Sequence, residues 1–275
     1  MKVFLVLLLV GAAVGCAVVA SGKPLQVLRD QAFVTRGDQS LTGDLYLPDS
    51  PGLRPAMVVV HGGGWTNRSG DMTAICRRLV NAGFVVFNVT YRLAPAHRYP
   101  APLDDVNAAL EWIYANAERY RIDPDQIGGW GYSAGAHLIL LAGLARQQPP
   151  FLSSIVAGGT PAKLTAWPKS PLVIELIGKP MAEAEATWQE ASPVNHVEED
   201  SPPVLLYHGQ WDALVQPEQM EFMRQALVAK GVPVETYTVH LLGHIGTYLL
   251  GDGAERRGVE FALTSARDTI PRGAD

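Results

Sequence analysis

The sequence predicts an α/β fold, a mostly parallel twisted sheet with helices on both faces. Three observations carry this expectation. Residues 56–61, 84–89 and 204–208 are near-continuous apolar, β-branched or aromatic runs, the pattern of strands covered on both sides. Amphipathic helical runs lie between them, such as the one that sets Val106, Leu110, Ile113 and Ala117 on one stripe. The two kinds of run alternate along the chain, and right-handed crossovers turn such alternation into a single open sheet. Ligands of these sheets sit at the carboxyl ends of the strands.

In chain order, residues 32–35 and 41–47 read as short strands. The second alternates Leu41, Gly43, Leu45 and Leu47 with Thr42, Asp44 and Tyr46, as an antiparallel edge strand would. A turn-rich loop covers 48–55, and the buried strand 56–61 runs into Gly62-Gly63-Gly64-Trp65. A helix over 72–82 stops at Gly83, and strand 84–89 follows. The next helix opens at Pro102 or Leu103, and Asp123-Pro124 closes the connection behind it. Residues 126–130 lead as a strand into Gly131-Tyr132-Ser133-Ala134-Gly135, with a helix over 136–145 and a strand over 153–157 beyond. A buried strand at 204–208 precedes a helix bounded by Pro217 and Gly231, a Pro-first, Gly-last signature. Strand 234–239 and helix 254–267 complete the series. Residues 158–203 hold Pro161, Pro168, Pro171, Pro180, Pro193 and Pro202 and are too long for a simple connection. They read as a small cap or wall over the active face, with short helices at 172–177 and 181–188.

At 275 residues, 48% hydrophobic and 18% charged, the chain can bury one sizeable core. A net charge of −5 leaves no electrostatic footprint for nucleic acid, so no such partner is expected. Two cysteines, Cys16 and Cys76, are too few for a disulfide framework. Cys76 lies in an apolar helical run and reads as a small buried hydrophobe. No Cys and His cluster has metal spacing, so neither a metal nor another cofactor is expected.

Residues 1–20 read as an export signal, leaving 21–275 as the folded domain. Lys2 precedes a run from 3 to 20 that is almost wholly apolar. Ala13-Val14-Gly15-Cys16 is similar to a bacterial lipobox, which would make Cys16 a lipidation site, although the usual pattern has Leu where Ala13 stands. Val18-Val19-Ala20 before Ser21 suits ordinary cleavage, and the run is also just long enough to remain as an uncleaved anchor. All three routes place the domain outside the cytoplasm, as a periplasmic or membrane-anchored lipoprotein or as a secreted protein. Membrane contact is expected only through the signal or the lipid.

A serine between glycines at a strand-to-helix turn sits at strained backbone angles, with its hydroxyl clear of the sheet edge. The following helix favours negative charge beside Ser133 and leaves the Ala134 N–H free to donate. Such a hydroxyl needs a neutral imidazole to take its proton and a carboxylate to hold that ring's tautomer. Asp212, in His208-Gly209-Gln210-Trp211-Asp212, and His244, in Leu241-Leu242-Gly243-His244, each follow a strand. Their order, Ser then Asp then His, is the one this architecture takes. Several alternatives compete. Asp212 could merely cap the turn toward Pro217. His240 rivals His244, but it belongs to the strand, whereas His244 lies beyond Gly243 on a loop. His97, His137, His196 and His208 read as structural, with His137 packed beneath the site. Asp104 and Asp105 stand at a helix start, where carboxylates complement the dipole, and they precede Ser133. The glycines after strand 56–61 offer unobstructed backbone N–H groups to a developing oxyanion. Trp65 and Tyr132 are candidate pocket walls.

Together these residues resemble the α/β-hydrolase superfamily, and within it the esterases that bear an HGGGW motif. Those comprise hormone-sensitive-lipase-like enzymes and small acetyl and carbohydrate esterases. The likeness rests on His61-Gly62-Gly63-Gly64-Trp65, Tyr91-Arg92-Leu93-Ala94-Pro95, Tyr99-Pro100, Asp123-Pro124, Gly131-Tyr132-Ser133-Ala134-Gly135, Ser192-Pro193-Val194 and His208-Gly209-x-x-Asp212, all in the family's order. It implies Ser133 as nucleophile, His244 as base and Asp212 as orienting acid. It also implies Gly63, Gly64 and Ala134 as oxyanion donors, with Tyr91-Arg92-Leu93 shaping the face behind that loop. The chain departs from the lipase-like branch at Tyr132, where Asp is usual, and at Gly135-Ala136-His137, where two glycines are usual. It also lacks room for that branch's large amino-terminal helical cap. The Ser-Ala-Gly-Ala-His run is shared with aryl formamidases.

The expectation is therefore an exported serine esterase that hydrolyses short-chain, acetyl-type esters of small molecules, acetylated carbohydrates included, through an acyl-enzyme. An amidase or aryl-formamidase with the same triad is the alternative. A non-catalytic binding lipoprotein on a hydrolase scaffold is the alternative from another class.

Overall fold

The computed structural model describes residues 26–145 and 152–268; the expected export signal at 1–20, with the lipidation candidate Cys16, lies outside them. The strands are β1 (Gln26–Arg36), β2 (Gln39–Leu47), β3 (Arg54–Val60), β4 (Val85–Val89), β5 (Ile122–Tyr132), β6 (Ile155–Gly158), β7 (Val204–Gly209) and β8 (Val234–Val239). The helices are α1 (Thr73–Asn81), α2 (Ala101–Ala115), α3 (Ala117–Tyr120), α4 (Ala134–Leu144), α5 (Pro171–Ile177), α6 (Glu185–Glu190), α7 (Glu218–Ala229), α8 (His244–Leu250) and α9 (Asp252–Asp268). One sheet runs β1-β2-β4-β3-β5-β6-β7-β8. It is antiparallel at β1–β2 and β2–β4 and parallel at every other pairing.

Successive side chains of a strand face opposite ways, and β3 shows how the core divides. Ala56, Val58 and Val60 pack with Val106 and Leu110 of α2 and Leu138 of α4, while Met57 and Val59 pack with Ile75 and Leu79 of α1 and Phe261 of α9. Helix α4 is buried on nearly every side, as a helix apolar all round must be. It lies directly behind the turn that carries Ser133.

Four elements differ from the expectation. β1 begins at Gln26 rather than near residue 32, because irregularities between Leu28 and Gln31 and between Ala32 and Val34 break the two-residue period. β1, not β2, is therefore the sheet edge. Asp123-Pro124 lies inside β5 instead of closing the connection before it. The pairing jumps from Arg54–Ile122 to Ala56–Ile127, so the residues between loop out of the ladder. Helix α2 ends at Ala115, which leaves Ala117 in the separate turn α3. Residues 164–195 carry α5 and α6, close to the expected short helices, along with three 3-10 turns.

Asp105, near the start of α2, has a partner beyond the helix dipole. It is fully buried and accepts from Arg92 at Nε (2.8 Å), Nη2 (2.9 Å) and the backbone N–H (2.9 Å). Removing one member of such a buried pair costs about 3–5 kcal/mol. The pair pins residues 91–95 behind the glycine loop, where the Tyr91 hydroxyl donates to His61 O (3.2 Å) and Ala94 N–H donates to Trp65 O (2.9 Å).

Candidate active site

β5 ends at Tyr132, and Ser133 caps α4 with φ 55° and ψ −121°. Neighbouring backbone requires the flanking glycines. A Cβ at Gly131 would stand 2.3 Å from Gly135 C, and one at Gly135 would stand 2.1 Å from Val60 O. Ser133 N–H donates to Gly158 O (2.8 Å), which locks the turn against β6. The side chain of Ser133 has no hydrogen-bond partner among the described residues and faces a cavity of about 1040 Å³, shared with Gly63, Gly64, Trp65, Ala134 and His244.

The glycine loop after β3 is folded on itself. Thr66 and Asn67 N–H both donate to Gly63 O, and Ser69 N–H donates to Gly62 O. His61 is buried behind it, donates from Nδ1 to Gly62 O (2.7 Å) and stacks on Tyr91 with centroids 4.3 Å apart. The N–H groups of Gly63 and Gly64 have no acceptor among the described residues, and that of Ala134 opens a helix. Three donors therefore border the Ser133 cavity, as oxyanion stabilisation requires. Trp65 lines the cavity and is also anchored beneath it. Its Nε1–H donates to His137 Nδ1 (3.1 Å), and His137 Nε2–H donates to Ala191 O (2.7 Å). His137 thus ties the oxyanion loop, α4 and the 158–203 wall together.

Asp212 lies in the turn after β7 and is buried. Its Oδ1 accepts from Leu214 N–H (3.0 Å) and Val215 N–H (2.8 Å), while Oδ2 accepts from His244 Nδ1 at 2.6 Å. It therefore caps its own turn and reaches the imidazole as well. Burial pushes the Asp212 carboxyl up, but hydrogen bonds from His208 and His244, the His244 charge and Val215 N–H outweigh burial and hold it well below the usual carboxylate range.

His244 is not on a loop. It is the first residue of α8, behind Gly243. The rival His240 lies beyond the end of β8, exposed, with Nδ1 3.4 Å from Gln210 Oε1. Tyr132 does more than wall the pocket. Its hydroxyl donates to His244 O (2.6 Å), and its ring lies 5.1 Å from the imidazole. Gly159, at φ 55°, leaves room for that imidazole, since a Cβ there would stand 2.8 Å from His244 Cε1.

Residue types alone missed one more participant. His208 Nε2–H is shared between Val215 O (2.7 Å) and Asp212 Oδ2 (3.3 Å), giving the carboxylate a second imidazole. Its spacing four residues before Asp212 was the available signal. Cys76 is buried with a free thiol, and burial pushes that thiol well up. No group of three or more His, Cys, Asp or Glu among the described residues could hold a metal ion.

The BD-FAE family model matches residues 43–227, about two thirds of the chain. The chain is 28% identical over 193 residues to Esterase LipC of Mycobacterium tuberculosis, which covers 63% of this chain and 47% of that one. It is 40% identical over 107 residues to Carboxylesterase NlhH of the same species, covering 37% of this chain and 34% of that one. The chain spans about half the length of the first curated relatives it matches. A truncated form of carbohydrate esterase from gut microbiota has the same fold, with a TM-score of 0.78, 23% identity and coverage of 88% of this chain and 96% of that one.

Two histidines of the site are kept neutral by position. Burial lowers His61 and His137 to about 4, against an ordinary value near 6.5. The unfolded chain therefore takes up protons first as pH falls. The contribution of each ring to stability is complete above pH 6.5 and shrinks as pH drops toward 4, by about 3 kcal/mol apiece. Asp212, held low, contributes stability above the unfolded carboxylate value and loses it only at still lower pH. Urea denaturation should therefore show a loss of several kcal/mol between pH 7.5 and 4.5. A stability that stays level across that interval contradicts this reading of the two rings.

Proposed function

The chain belongs to the BD-FAE family, and on that footing we propose that it is a serine carboxylic ester hydrolase. The observation that carries the reading is the 2.6 Å hydrogen bond from His244 Nδ1 to the buried Asp212 carboxylate, on the rim of the same cavity as Ser133. With Nδ1–H committed to Asp212, Nε2 keeps the lone pair that a base needs. Ser133 Oγ attacks the acyl carbonyl while its proton passes to Nε2, and Gly63, Gly64 and Ala134 N–H receive the oxyanion. Imidazolium then protonates the departing alcohol as the ester C–O bond breaks. Water activated by the same ring releases the carboxylic acid and returns the proton to Ser133. His208, Tyr132 and Gly159 act through Asp212 or His244 and are positioning residues.

Acetyl-type acyl groups on small alcohols are the finer reading, which a carbohydrate esterase among the fold neighbours supports. The apolar run at residues 3–20 supports export of the enzyme. A fusion of residues 1–21 to a reporter that works only outside the cytoplasm should be active, and a silent fusion contradicts export.

Ser133→Ala should lower kcat/KM on 4-nitrophenyl acetate by at least about 10⁴-fold, and Asp212→Asn by about 10⁴-fold. The wild-type rate should fall as pH drops, because a protonated base cannot take the Ser133 proton. Turnover that survives Ser133→Ala, or a rate level down to pH 4, counts against this mechanism.

A further inference from the structure

The Ser133 cavity is far larger than an acetyl group and almost free of charge. At about 1040 Å³ it stands at the upper end of ligand pockets. Among its lining residues there is no Asp, Glu, Arg or Asn, and Lys169 is its one Lys. Trp167, Pro168 and Val173 form part of its wall. A sugar carries a hydroxyl on nearly every carbon, and each one buried without a partner is costly. Away from the reacting centre this wall offers Ser69, Lys169, Ser170, Gln216 and Tyr248 as partners, and the rest of it is Gly, Pro and apolar side chains.

The mouth is apolar as well. Leu172, Leu214, Ile245 and Leu249 are exposed yet line the cavity, and Trp211, Leu241 and Leu250 are exposed on the same two chain segments. These are seven of the ten large apolar side chains exposed among the described residues, the others being Leu53, Tyr114 and Val228. Such clustering marks a surface that is covered in use. Its continuity with the space in front of Ser133 says by what: the part of the ester that lies outside the reacting carbonyl.

We propose that this site takes esters carrying an apolar group much larger than a methyl, seated on the shelf of Leu172, Leu214, Ile245 and Leu249. The inference rests on the ester-hydrolase reading of Ser133 and narrows its substrate class. The group belongs either to the acyl chain or to the alcohol, and two substrate series separate these. The first compares 4-nitrophenyl acetate with 4-nitrophenyl hexanoate; the second compares ethyl acetate with hexyl acetate, followed by titration of released acid.

Burial of a methylene is worth about threefold to fourfold, so one series should rise at least about tenfold in kcat/KM across its four added carbons. Leu214→Asp and Leu249→Asp should each cut that long-to-short ratio at least about fivefold, while Leu53→Asp, on a surface away from the cavity, leaves it unchanged. An acetylated xylo-oligosaccharide should be a poorer substrate than the favoured long ester. Two level or falling series with Ser133-dependent turnover overturn the apolar-substrate proposal and leave the hydrolase reading intact. Long-to-short ratios that ignore both Asp substitutions overturn the shelf. Absence of any Ser133-dependent ester turnover removes the hydrolase reading, and this proposal with it.

Discussion

The hydrogen bond between His244 and Asp212 is the contact on which the site depends, and much of the nearby chain serves to hold it. Asp212 divides its two oxygens between tasks: one is spent on the N–H groups of its own turn, the other on two imidazoles. The ring is held from its other sides. The Tyr132 hydroxyl grips the His244 carbonyl, and Gly159 gives the ring space that any side chain would take. Tyr132 is the residue before Ser133, so the same strand end that presents the hydroxyl also fixes where α8 begins. Ser133, His244 and Asp212 are thereby linked through the backbone before any substrate arrives, which is the preorganisation the proposed triad needs.

A second set of contacts serves the glycine loop of the proposed oxyanion site. Arg92 and Asp105 fix the segment whose Tyr91 holds His61 from behind, and the relay Trp65–His137–Ala191 joins the loop to the 158–203 wall. The relay works only with a neutral imidazole, because His137 must accept at one nitrogen and donate at the other. Burial enforces that state. Protein stability and loop geometry thus rest on the same buried rings.

The parts of this arrangement legible in the sequence are those in which backbone geometry dictates residue type. Gly131 and Gly135 have no room for a Cβ, so the turn around Ser133 announces itself, and the glycine loop after β3 does the same. The buried parallel strands are legible as apolar runs. Asp212 and His244 stand out because polar residues just past buried strands face the ligand edge. What could not be read depended on tertiary contact. Helix α8 has seven residues, several of them apolar and exposed, and no amphipathic period marks it. His208 looks like any strand residue until the turn folds Asp212 back onto it. The bulges of β1 and the outward loop in β5 erase the periodicity that marks strands. Residues 158–203 were legible as a Pro-rich wall with short helices, and the apolar character of the cavity emerged only once α5 and α8 were found to line the same space.

In the proposed mechanism Ser133 Oγ, His244 and the Gly63, Gly64 and Ala134 N–H groups meet around one reacting atom. A crystal structure of the protein after reaction with an alkyl fluorophosphonate tests this directly, since the tetrahedral adduct stands in for the acyl intermediate. The expected structure has phosphorus bonded to Ser133 Oγ, its phosphoryl oxygen within hydrogen-bond distance of those three N–H groups, and His244 Nε2 beside the adduct. An adduct on another residue, or one whose phosphoryl oxygen turns to solvent away from the glycine loop, would contradict it.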